Sequence, residues 1–82
     1  MTSNDNDIYL VFIEIEKILD NFNIEYESLD NRIEFFTANS TQIIVAVDNG
    51  NIIVFREDKS SIFTLNSSKI ELFKFIKKCI ES

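Results

Sequence analysis

Carboxylates are the only plentiful side chains in this 82-residue chain that could do chemistry: fourteen Asp and Glu stand beside no His, no Trp and a single Cys. Carboxylates can ligate hard divalent cations, work in pairs as acid and base, or present an anionic surface to a basic partner. Asp5-Asn6-Asp7 has the first residues of a calcium loop but lacks its glycine and its distal glutamate. Nothing in the spacing marks a pocket that would set one carboxyl apart from its neighbours. Cys79 has no His to serve as its base and lies on the apolar stripe of a helix, so it reads as a small buried hydrophobe and not as a nucleophile. The expectation is a protein that is not an enzyme and holds no metal or cofactor.

The charge is split along the chain. Residues 1–58 carry twelve acidic against three basic residues, about −9, while residues 59–82 carry two against five, about +3, which gives the net −6. Glu14, Glu16, Asp20, Glu25, Glu27, Asp30 and Glu34 fall at the end of one helix and in the strands that follow it. Such a run is a solvated face, a surface shaped for an Arg- or Lys-rich groove, or a cation site. Phosphate recognition needs cations that displace condensed counterions, so direct nucleic-acid binding is not expected; a basic protein surface is the expected partner. Lys74, Lys77 and Lys78 complement the C-terminal dipole of the last helix.

Two helices and a run of strands must position these residues. At 100° per residue, Ile8, Val11, Phe12, Ile15, Ile18, Leu19 and Phe22 share one stripe, which predicts an amphipathic helix capped by Asn6 or Asp7 and ending near residues 21–23. Beyond it the period becomes two. Strands are predicted over 24–29, 32–37, 41–47, 51–56 and 61–65, with turns at 38–40, at Asn49-Gly50 and at 57–60. Asn-Gly is the preferred pair for a type I′ hairpin because both central residues need positive φ. Ser68 and Glu71 form a capping box that starts a second helix, whose inner stripe is Leu72, Phe73, Ile76, Cys79 and Ile80. The predicted fold is α+β: helix, four- to five-stranded antiparallel meander, helix, with both helices packed on one face of the sheet. Residues 1–6 are expected to be a flexible start and 7–82 a single domain, which at this length buries only roughly 60–65% of its unfolded surface.

Apolar residues outnumber the places that can hide them. Tyr9, Leu10 and Ile13 lie opposite the core stripe of the first helix. Pairing across Asn49-Gly50 puts Ile43, Val45, Val47, Ile52 and Val54 on one face of the sheet and Ile44, Ala46, Ile53 and Phe55 on the other. A solvated antiparallel face normally alternates apolar with polar, so the second face is expected to meet a partner or another copy of the chain. No run approaches the roughly 18 apolar residues of a membrane span, and no basic segment leads into one; with one cysteine, a cytoplasmic address is expected.

Thr41-Gln42-Ile43-Ile44-Val45-Ala46-Val47-Asp48-Asn49-Gly50-Asn51 resembles the second and third strands of a family of small acidic anti-CRISPR proteins, phage-made inhibitors that occupy the DNA-binding groove of a Cas nuclease. The order of elements is similar as well. In that family the hairpin turn carries polar and acidic residues that stand in for DNA; the matching positions here are Gly50 and Asn51, with Asp48 adjacent. Ile52 replaces an acidic residue of the family, and a Lys-bearing helix replaces its acidic C-terminal segment. The resemblance implies a protein-binding inhibitor of phage or mobile-element type that blocks a nucleic-acid-handling partner. Two other classes fit the same residues: a dimeric interaction module such as a secretion chaperone or immunity protein, and a small acidic metal-handling domain of frataxin-like layout.

Overall fold

The computed structural model describes residues 3–64 and 69–81. Helix α1 spans Ser3–Asn21, strands β1 to β5 span Tyr26–Leu29, Arg32–Phe36, Gln42–Asp48, Asn51–Arg56 and Lys59–Thr64, and helix α2 spans Lys69–Glu81. Each strand pairs antiparallel with the next in sequence, giving a five-stranded meander in the order β1-β2-β3-β4-β5 and the predicted α+β class. Short connections suffice for such a sheet, which is why the chain needs no crossover.

Helix α1 starts at Ser3, about a turn before the expected cap at Asn6 or Asp7, and so takes in part of the start expected to be flexible. No Gly or Pro breaks the backbone there, and acidic residues suit a helix N-terminus. The other end is closed by a Schellman motif: Asn23 adopts φ 58°, its N–H donates to Asp20 O at 3.0 Å, and the N–H of Ile24 donates to Leu19 O at 2.9 Å. Phe22 is thereby the cap residue. It leaves the core stripe to which its spacing assigned it and stands partly exposed.

Three of the four turns in the sheet hold a residue with positive φ. Between β2 and β3, Ser40 N–H donates to Thr37 O and Thr37 N–H to Thr41 O, both at 2.9 Å, while Ser40 takes φ 66°. This is a three-residue hairpin loop, a type I turn followed by a left-handed residue. Thr37 itself is buried, and its Oγ1 accepts the Thr41 N–H at 3.3 Å. Asn49 and Gly50 both take positive φ, 53° and 79°, as a type I′ turn requires. The turn expected over 57–60 is tighter: Arg56 pairs with Lys59, so only Glu57 and Asp58 connect the strands, with Glu57 at φ 57°. Strand β5 therefore begins at Lys59 and not at Ser61.

Every buried strand side chain lies on one face. Ile33, Phe35, Ile43, Val45, Ile52 and Val54 form a single core cluster with Val11, Phe12, Ile15, Ile18 and Leu19 of α1 and Leu72, Ile76, Cys79 and Ile80 of α2. Phe63 adds a tilted ring contact to Phe75 with centroids 5.5 Å apart. Phe73, assigned to the inner stripe of α2, is partly buried against this core. Leu65 and Ser68, the expected strand end and capping residue, lie outside the described residues; Glu71 does sit in the first turn of α2, where the dipole favours it. Among the described residues no helix is long and apolar enough to cross a membrane.

Gly50 and Ile15 separate two sources of stability. A Cβ built on Gly50 meets nothing within 4 Å, so Gly50→Ala should cost only the left-handed backbone strain, about 1–2 kcal/mol, or a midpoint lower by roughly 4–16 °C. Ile15, fully buried, should lose about 2–5 kcal/mol on truncation to Ala. Urea and thermal unfolding followed by circular dichroism measure both, and no loss at Gly50 would contradict the turn assignment.

Candidate protein-docking surface

The seven carboxylates singled out in the sequence do not form one patch. Glu16 accepts a hydrogen bond from Ser28 Oγ at 2.9 Å, which ties the C-terminal half of α1 to β1. Tyr26, also on β1, has its phenol pushed up from its ordinary pKa by burial first and then by the negative charges of Glu16 and Asp20. Glu25, Glu27 and Glu34 line one depression together with Tyr26, Phe35 and Phe36. Glu16 and Asp20 thus stand on the α1 side of the β1 edge, while Glu27 and Glu34 project from the opposite face of the sheet, so this margin is acidic on both faces. One guanidinium answers them: Arg32 Nε lies 2.6 Å from Glu34 Oε2.

The remaining acidic residues are elsewhere. Glu14 shares a depression with Leu10, Val11, Lys69 and Phe73, on the side of α1 that faces α2. Asp30 lies beside Ile8, Tyr9 and Phe12. Val47 N–H donates to Asn31 O at 3.2 Å, so the Asp30-Asn31 turn and the Asp48–Asn51 hairpin turn share one end of the sheet. Asp48, Gly50 and Asn51 are therefore set apart from the carboxylates around Tyr26. Among the described residues no group of three or more His, Cys, Asp or Glu is placed to hold a metal ion.

An open groove of about 620 Å³ adjoins the acidic margin. Phe22, Ile24, Phe36 and Ile80 supply its apolar walls, and Glu25 stands on its rim. Glu25 and Phe36 belong to both the groove and the acidic depression, which makes the two continuous. A long basic side chain fits this chemistry: its methylene stem covers apolar wall while its charged head meets carboxylate. The sequence did not reveal the groove, because it arises where Phe22 leaves the helix stripe and where Phe36 takes the face opposite its neighbour Phe35.

The apolar candidates also divide. Tyr9 borders the depression beside Asp30 and Leu10 the one beside Phe73, so the outer residues of α1 flank the helix on two sides, with Ile13 partly buried. Ile44, Ile53 and Phe55 do share a surface, the sheet face opposite the core, as the register requires. Leu29, Phe36 and Ile62, which had not been singled out, emerge on that same face. Cys79 is buried, with its thiol pKa pushed up by burial and pulled partly back by Arg56 and Lys78, an environment that disfavours the thiolate.

The electrostatics around Tyr26 can be read directly. Glu16→Gln removes a negative neighbour, makes the phenolate less costly and should shift the Tyr26 transition in an ultraviolet absorbance titration to lower pH. Glu14→Gln should leave it in place, since Glu14 lies on the far flank of α1; equal shifts from both would show that the carboxylates act as a diffuse field. No family model, curated protein or solved structure matches this chain, so its functional reading rests on this surface and on the resemblance of residues 41–51.

Proposed function

We propose that this chain is a non-enzymatic protein-binding inhibitor, of the phage or mobile-element type and anti-CRISPR-like, that occupies a basic surface of a nucleic-acid-handling partner. The β1 margin is the contact: Glu16, Asp20, Glu25, Glu27 and Glu34 meet Lys and Arg of the partner, and the groove beside Glu25 and Phe36 receives an apolar or basic side chain. Arrays of this kind speed encounter and reject partners of the wrong charge.

The observation that carries the reading is where Asp20 sits. It occupies the last turn of α1, which holds no basic residue, although the partial negative charge of a helix C-terminus favours Lys or Arg there. Helix α2 follows the stabilising rule, with Glu71 in its first turn and Lys78 in its last. An acidic residue kept where the fold penalises it, sharing the Tyr26 surroundings with Glu16, marks a surface shaped for something other than stability. Glu27 directly opposite Glu34 across the β1–β2 pair breaks a second local rule in the same place, since like charges in register repel.

Opposite responses of stability and binding test this. Asp20→Lys should raise the unfolding free energy slightly, by about a few tenths of a kcal/mol, and should weaken capture of a DNA-binding Cas nuclease by tenfold or more. Capture should compete with DNA and fall with added salt. Asp48→Lys at the far end of the sheet separates the margin from the hairpin turn: if only Asp48→Lys abolishes capture, the hairpin makes the contact. If neither change affects capture, or DNA does not compete, the proposal fails.

A further inference from the structure

The sheet face opposite the core carries the second signal. On β3, β4 and β5 it presents Ile44, Ala46, Ile53, Phe55 and Ile62 as cross-strand neighbours: Ile44 opposes Phe55, and Ile53 stands between Ala46 and Ile62. Ile62 is 66% exposed and Phe55 40%. No charged side chain lies among them. The charges on this face sit on β1 and β2, as Glu27, Glu34 and Arg32, and at the sheet end, as Asp48.

We infer that this face packs against the same face of a second copy, about a two-fold axis that runs along β4 between the two sheets. The pattern of sizes argues for a copy as the occupant. Across the three strands one row reads Ile44, Phe55, Ser60 and the next Ala46, Ile53, Ile62. A two-fold along β4 lays β3 of one copy over β5 of the other, so that the protruding Ile62 meets the small Ala46 and Ile44 meets the small Ser60. Phe55 and Ile53 then meet their own symmetry mates in the centre. Each row is complementary to itself under this one operation, as an isologous interface demands.

Charge is compatible with the same arrangement. An axis running across the strands along the Glu27–Glu34 row would stack those carboxylates on their own copies, whereas one set between the rows would lay Glu34 over Arg32 and Glu27 over Leu29. The axis along β4 sends the two acidic margins to opposite rims, where both remain in solvent and available for the contact proposed above. Apart from Asp48 at the sheet end, a basic partner has no counterpart on β3 to β5 of this face and is directed to the margin instead.

Size sets the strength. Three strands at about 4.8 Å spacing and six residues long make an overlap roughly 14 Å by 20 Å, well short of the about 800 Å² per partner typical of stable complexes. Association is therefore weak and depends on concentration.

Sedimentation velocity from roughly 5 to 500 µM tests it, since affinities of small interfaces fall in this range. The weight-average mass should rise from that of the 9.6 kDa chain toward twice that value. Ile62→Glu, an exposed change on an edge strand that should leave the circular dichroism spectrum intact, should lower the association constant at least tenfold, as should Ala46→Lys. Mixing these two variants should restore association, because Ile62 of one copy faces Ala46 of the other. A mass that stays at one chain throughout, or a dimer indifferent to both substitutions, overturns the inference. Association that persists in Ile62→Glu but is lost on reversing Glu25 and Glu27 would place the contact on the margin and overturn it equally.

Discussion

A sheet of five strands with its buried side chains on one face is the constraint from which the rest follows. Ile33, Phe35, Ile43, Val45, Ile52 and Val54 need cover, and the two helices offer Ile15, Leu19, Leu72 and Ile76 to the same core. At this chain length that core is all the domain can build. The strict period of two then fixes what the other face shows: once Val45 and Val54 point inward, Ile44, Ala46, Ile53 and Phe55 have no choice but to point out. Which residues the uncovered face shows is thus a consequence of register.

The same register gathers the acidic margin. With β1 at the edge, Glu27 is set opposite Glu34, and Ser28 reaches Glu16 on α1. Edge strands invite unwanted pairing, and a short strand with carboxylates on it is a common protection. That accounts for an acidic β1 in general. It does not account for Asp20, which lies on a helix, at the end where its charge works against the backbone dipole. The difference between these two placements is what turns an ordinary charged edge into a candidate binding surface.

Much of the fold was legible because its signals are local. Periods of 3.6 and 2 set the two helices and five strands, and Asn49-Gly50 fixed the central hairpin and therefore the division of residues 43–47 and 52–55 between faces. What failed also failed for local reasons. Phe22 keeps helical spacing but sits where the Schellman motif has already ended the helix. The turn predicted over 57–60 is two residues shorter than its sequence suggested, because a non-glycine residue, Glu57, holds the left-handed position. Reading that turn as four residues left Ser60 outside the sheet and hid the place of Ile62 beside Ile53. The scatter of Glu14, Asp30 and Asp48 away from the margin was invisible for a different reason, since sequence proximity says nothing about which flank of α1 meets β1 and which meets α2.

Two surfaces of opposite character on so small a domain raise the matter of whether they compete. They do not, because they respond to different variables. The margin is charged, so its contacts weaken with salt and act at long range. The sheet face is apolar, so association through it would be nearly indifferent to ionic strength. Under a two-fold along β4 the margins of two copies stand on opposite rims, and one dimer presents two separated acidic edges. A partner with two basic surfaces at a matching separation would then be held by both, with an effective local concentration for the second contact that a single chain cannot supply. Weak self-association and a weak charged contact, each modest for a chain of 82 residues, reinforce one another in that geometry.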